Sequence, residues 1–165
     1  MHYIATDELL GVSALTAVDA VQRLQAGMIV HAIDADGGMG GAEFIYLPGG
    51  AGITPGVLVG FDPVNKVTTP LPSVGNSAQS VAVSLNTVPA GNWSWFLVYG
   101  AANVNKDGTA LAAGAQVGIG TAAGTVGAST AGKQLLAARA LNAAAAGATQ
   151  ALVSFNRSFA EGQIT

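Results

Sequence analysis

From Gly27 onward the apolar positions fall in short runs separated by clusters of Gly, Pro, Asn and Asp, the pattern of an all-β sandwich or barrel. Met28–Ile33, Glu43–Leu47 and Val57–Phe61 are the first predicted strands. A loop from Asp34 to Gly41 joins the first two as a hairpin, and the Gly-rich stretch Pro48–Pro55 joins the second and third. Val67–Leu71 is predicted as an edge strand, since Pro70 and Pro72 donate nothing to a central ladder. Gln79–Leu85 alternates cleanly, and Trp93–Tyr99 is the most aromatic run. Alternation places Trp93, Trp95, Leu97 and Tyr99 on one face and Phe96 and Val98 on the other. Both faces are apolar, so this strand is expected to be buried on both sides. Gln116–Ile119, Gly124–Val126 and Ala151–Phe155 complete the set. Between them, Lys133–Ala146 has helix-forming Leu, Ala, Arg and Gln in a β-rich neighbourhood. It is read as a strand over Gln134–Leu141 followed by a loose alanine loop.

The first 26 residues follow a different rhythm. Thr6 suits a helix N-cap, Asp7 and Glu8 its first turn, and Leu9, Val12, Leu15, Val18, Val21 and Leu24 recur every third residue. Gly11 and the Val and Thr content argue against a helix. The preferred reading is an extended N-terminal arm, 1–26, that lies on a neighbouring subunit and is dispensable for folding, ahead of a single β-domain, 27–165. Phe44, Tyr46, Trp93, Trp95, Leu97, Tyr99 and Phe155 are the expected core of that domain, which is read as a compact β-sandwich or a jelly-roll-like barrel.

Composition narrows the partners. The 165 residues include only six basic and nine acidic side chains, and the net charge is -3. A nucleic-acid binder needs clustered Lys and Arg to displace counterions, and none is clustered here. A weakly charged, half-hydrophobic chain is better tolerated when subunits cover its surface, so a homo-oligomer is expected. The absence of cysteine removes disulfides, thiolate chemistry and Cys-bound zinc. No signal peptide is read at the N-terminus and no run is long enough to cross a bilayer, so no membrane association is expected and synthesis is placed in a cytoplasm.

Chemistry-bearing patterns are weak. His31, Asp34 and Asp36 lie close in sequence, but on a strand His31 and Asp34 point to opposite faces, so no metal site is assigned. Asp34-Ala-Asp-Gly-Gly opens like a calcium loop, yet Ile45 stands where the bidentate Glu is required. Gly118-Ile-Gly-Thr-Ala-Ala-Gly lacks the βαβ setting of a dinucleotide fingerprint and is read as a turn. A hydrolase would need His31 or His2 as base, without a Gly-x-Ser-x-Gly elbow. Glu8, Glu43 and Glu161 are too dispersed for a glycosidase pair. No catalytic residue and no cofactor are therefore assigned, and the chain is read as a non-enzyme. An alternative function for the aromatic run is a stacking platform for sugars on Trp93 or Trp95.

Several stretches resemble the small decoration, or cement, proteins on the heads of tailed bacteriophages. They are Gln22-Arg-Leu-Gln-Ala-Gly27, Gly41-Ala-Glu-Phe-Ile-Tyr-Leu-Pro-Gly49, Val81-Ala-Val83, Gly91-Asn-Trp-Ser-Trp-Phe-Leu-Val-Tyr-Gly100 and Asn156-Arg-Ser-Phe159. None is a catalytic motif. The resemblance implies a β-domain on the outer capsid surface of the virion that binds the major capsid protein and stabilises its lattice. The Gly-rich Pro48–Pro55 departs from the shorter, more polar loop usual in that family. The alternative is a carbohydrate- or receptor-binding module of a phage tail or fibre.

Overall fold

The computed structural model describes residues 1–7, 14–36, 38–62, 64, 68–75 and 77–161. They contain no helix, and hence none long and apolar enough to cross a membrane. Twelve strands form one antiparallel sheet: β1 (Tyr3–Ala5), β2 (Val18–Asp19), β3 (Ile29–Asp34), β4 (Gly41–Pro48), β5 (Leu58–Phe61), β6 (Thr68–Pro70), β7 (Ser80–Ser84), β8 (Trp93–Asn105), β9 (Gln116–Ile119), β10 (Val126–Ala128), β11 (Gln134–Ala140) and β12 (Gln150–Ala160). The order along the main path is β1-β3-β4-β8-β7-β12-β11-β9-β10. The sheet folds over its core as a sandwich and does not close, so the jelly-roll-like barrel is set aside.

β8 organises the fold. Its first half pairs with β4, from Trp93↔Pro48 to Leu97↔Phe44, and its second half pairs with β12, from Tyr99↔Asn156 to Asn105↔Gln150. The strand predicted over Trp93–Tyr99 runs on to Asn105. Gly100 continues the strand at φ 113°, where a Cβ would stand 2.9 Å from that of Ala42. Only glycine allows this approach of β8 to β4.

Two apolar clusters lie on opposite sides of β4 and of the first half of β8. The larger joins Val30, Phe44, Tyr46, Trp95 and Leu97 to Val153 and Phe155 of β12. The smaller contains Ile45, Leu47, Phe96 and Val98, closed over by Ile53 and Val88, which pair as an isolated bridge. Trp95, Phe96, Leu97 and Val98 are all buried, as expected of a strand covered on both faces. The loop that follows β4 carries Ile53 into the smaller cluster, and a Cβ at Gly50 would collide with the Thr68 carbonyl.

The N-terminal segment is extended, but it belongs to the domain rather than projecting from it. β1 pairs with β3, and β2 with β8. Tyr3 and Leu15 are buried in the larger cluster, and Tyr3 Oη donates to the Ala101 carbonyl at 2.7 Å. Asp19 is buried as well. Tyr46 donates to its Oδ2 at 2.9 Å and Arg23 Nε reaches its Oδ1 at 3.1 Å. Ser94 and Asn86 donate to the carbonyls of Ala17 and Leu15. The boundary drawn at residue 26 therefore separates nothing in the core. Glu8, Leu9, Gly11 and Val12 of the predicted helix pattern, and Val67 of the predicted edge strand, lie outside the described residues. Among the described residues β6 pairs with β5 alone, an edge position that suits Pro70.

The alanine loop after β11 is pinned. Lys106, itself buried, donates from Nζ to the carbonyls of Asp107 (2.7 Å), Ala146 (3.2 Å) and Ala148 (3.2 Å). Ala144 bridges to Leu111. An ammonium has three donors and all three are used, which lets a cation be buried without a carboxylate.

Candidate functional site: an apolar sheet face with a central charge row

The outer face of the β1–β3–β4–β8 sheet is the side turned away from the larger core. On β3 exposure alternates without a break, with Ile29, His31 and Ile33 out and Val30, Ala32 and Asp34 in. Register carries this face sideways. Ile33 lies opposite Ile4 of β1, His31 opposite Glu43 of β4, and Glu43 opposite Tyr99 of β8. The smaller cluster covers this side as far as Ile45 and Val98 and leaves the rest bare. On β12 and β11 the outward Phe159 and Leu136 face each other. Ile4, Ile29, Ile33, Tyr99, Leu136 and Phe159, each at least 40% exposed, are more than half of the exposed large hydrophobic side chains among the described residues. Single exposed apolar side chains are ordinary, but a concentration on one sheet face marks an interaction surface.

Tyr99 corrects the expected core. Alternation from Trp95 and Leu97 would carry it inward, yet it is 40% exposed. The cause is a β-bulge: Phe44 pairs with Leu97 but the adjacent Glu43 pairs with Tyr99, so Val98 is an extra residue and the inward phase moves to Ala102 and Val104. Trp93 is a second correction. It is only partly buried, at the margin of the larger cluster, with its ring stacked on Tyr46 at 5.5 Å and 20°. Phe44, Tyr46, Trp95, Leu97 and Phe155 are buried as expected. Burial raises the Tyr46 phenol above its usual value, opposed by the hydrogen bond from the Arg23 N–H and helped by the one to Asp19.

Charge on the outer face is concentrated in one row. Arg157 donates to Glu43 Oε2 from Nε at 2.9 Å, with Nη2 at 2.7 Å. On the far side of Glu43, His31 Nε2 lies 3.9 Å from Oε1, and Nδ1 lies 3.1 Å from Asp7 Oδ2. That Asp7 oxygen also accepts the His31 backbone N–H at 2.7 Å, the main cause of a carboxyl held below its usual range. The backbone at Arg157 is left-handed, with φ 47°, and so is that of Ala137, with φ 58°, across the irregular β11–β12 pairing. Non-glycine residues adopt this conformation at a cost, and here it turns the guanidinium onto Glu43.

The candidate chemistry resolves differently residue by residue. Asp34 does point away from His31. Its carboxylate is occupied by the N–H groups of His2 (3.1 Å), Asp36 (3.3 Å) and Met39 (3.2 Å), and the His2 N–H leads in holding its pKa down. Among the described residues no group of three His, Cys, Asp or Glu side chains could hold a metal ion. His31 is set between two carboxylates, so Nε2, the atom that would take a nucleophile's proton, faces Glu43. The Gly118 motif forms the β9–β10 hairpin. Trp95 is completely buried and offers no platform, which leaves Trp93 alone for the sugar-binding alternative.

The chain is thus an all-β, sandwich-like domain with an exposed apolar sheet face. No protein-family model matches the chain, and no curated protein is significantly similar to it. The resemblance to decoration proteins therefore rests on the short motifs alone.

Proposed function

We propose that the protein is a capsid decoration protein that attaches through the outer β1–β3–β4–β8 face to the major capsid protein on the outside of a phage head. The observation that carries this reading is the gathering of Ile4, Ile29, Ile33, Tyr99 and Phe159 on one rigid sheet face. Rigid strands lose little order on docking, and modest contacts repeated over many copies give avidity. The quoted motifs that resemble decoration proteins contribute directly to this face through Glu43, Tyr99, Arg157 and Phe159.

The test is to mix the purified protein with tailed-phage heads that lack a decoration protein and to sediment the particles. The wild-type chain is expected to cosediment with the heads. Ile33→Glu, with an unchanged melting temperature, is expected to stay in the supernatant. A wild-type chain that never joins the heads overturns the reading. A glycan array checks the alternative: sugar binding lost in Trp93→Ala would move the function to a tail or fibre module.

A further inference from the structure

A depression of ≈ 130 Å³ opens where the smaller core meets the bare part of the outer face, lined by Ile29, Ile45, Phe61, Val98 and Ser80, with Arg157 at its rim. We infer that this depression is a side-chain socket for a protein partner presenting an aliphatic residue next to a carboxylate. The inference rests on the reading of this face as the attachment surface.

Three features lead there. The walls are aliphatic and aromatic, and they continue a packed core, so the socket keeps its shape when empty. Among the described residues the one charged side chain in its lining is Arg157, 62% exposed, and the Glu43 carboxylate paired with it is 16% exposed. The carboxylate is thus covered, while the guanidinium is turned outward. A partner meets a guanidinium at the socket's rim, and a carboxylate complements it. Finally, Arg157 is held there by a strained left-handed backbone. Strain of this kind persists where surrounding structure fixes a side chain, and arginine beside an apolar pocket is a common interface anchor. The socket is shallow and partly ringed by exposed Tyr99 and Phe159, which adjoin its lining residues Val98 and Ser158 in sequence. A free small acid would leave that ring wet, whereas a protein surface would cover both socket and ring.

The experiment is an NMR titration of the full-length chain with 4-methylpentanoate, an aliphatic carboxylate standing in for the partner's side chains. Its uncharged and cationic counterparts, isoamyl alcohol and isoamylamine, are titrated in parallel. The methyl signals of Ile29, Ile45 and Val98 are expected to shift saturably with the carboxylate at millimolar concentration. Binding is expected to be about two- to five-fold tighter than for the alcohol, the worth of an exposed charge pair, and weakest for the amine. In Arg157→Asn, whose side chain tolerates the left-handed backbone, the carboxylate should fall to the level of the alcohol. Equal shifts with all three compounds, or no saturable shift with any, would overturn the socket. Head sedimentation reads the whole face and this titration reads the socket alone, so either reading can fail without the other.

Discussion

The two faces of β3 and β4 are written in alternate residues of the same strands, yet they do different work. The inner face, with Val30, Phe44 and Tyr46, is sealed against Trp95 and Phe155. The outer face, with Ile29, His31, Ile33 and Glu43, is apolar enough to belong to a core, but past Ile45 nothing among the described residues seals it. The difference teaches that hydrophobicity alone does not distinguish a core strand face from a docking face. A single charge row inside an otherwise apolar surface does, because a buried core tolerates such a row poorly.

The largest effects should come from the inner face. Trp95→Ala is expected to cost about 3–5 kcal/mol in denaturant unfolding, as truncation of a fully buried aromatic does. Trp95→Phe should cost much less. Among the described residues the buried Trp95 Nε1 has no hydrogen-bond partner, and phenylalanine removes that donor. If the two substitutions cost the same, the indole N–H has a partner after all. Next comes the N-terminal segment. Deleting residues 1–6 removes β1 and uncovers the Tyr3 site, where the ring packs edge-on against Phe44 at 5.4 Å. A loss of about 3 kcal/mol is expected from side-chain burial and the Tyr3 hydrogen bond together. A truncated chain as stable as the whole would show that the segment is the dispensable arm its sequence suggests.

Legibility in the sequence follows the same division. Strands with a steady period, such as β3, β4 and the first half of β8, are readable because burial on one or both faces writes itself into alternate residues. The partition of Trp95 and Leu97 from Phe96 and Val98 could be read in that way. The exposure of Tyr99 could not, since one inserted residue at Val98 shifts every later side chain, and a bulge leaves no mark in hydrophobicity. β1 and β2 escaped because strands of three and two residues are too short to show a period, and tertiary hydrogen bonds to Asp19, Ser94 and Ala101 hold them. The charge row is non-local: Glu43 and Arg157 are 114 residues apart. Only the topology, with β8 between β4 and β12, brings them together, and Arg157 lies beyond Phe155, where the predicted last strand ended.

On the outer face the comparison predicts small effects on stability and large ones on attachment. Ile33→Glu and Ile4→Glu should each change stability by about 0.5 kcal/mol or less, as surface substitutions do, while abolishing cosedimentation with heads. A large loss of stability in either would mean that the face is sealed by the chain itself.

Acid should separate the faces only weakly. Asp34 and Asp7 are held below their usual range chiefly by the N–H groups of His2 and His31. Burial raises Asp107, but the hydroxyl and N–H of Thr109 and the Thr121 N–H outweigh it, so its net shift is also downward. A carboxyl with a depressed folded value contributes stability that is fully present above its unfolded value, 3.8, and is lost as pH falls through the folded value. Melting temperature is therefore expected to be insensitive to these groups between neutral pH and about 5 and to drop only below about 4. A decline beginning well above pH 5 would mean that other groups carry the acid sensitivity.

The smallest expected effect is that of salt on attachment. Six basic and nine acidic residues are scattered along the chain, and on the docking face the carboxylates of Glu43 and Asp7 already have Arg157 and His31 as partners. Exposed ion pairs contribute about 0–1 kcal/mol each, and salt screens them once the Debye length falls to about 10 Å at 0.1 M. Apolar burial, at roughly 25 cal/mol per Å² before association costs, is not screened. One guanidinium meeting one partner carboxylate is thus the only strongly salt-sensitive contact this face supports. Occupancy on heads, measured by sedimentation from low salt to about 0.5 M, should fall by no more than the small factor that a single exposed pair contributes. In Arg157→Asn the remaining slope should flatten further. A steep release with salt would mean that several charges carry the attachment, and the apolar face would then be something other than the contact surface.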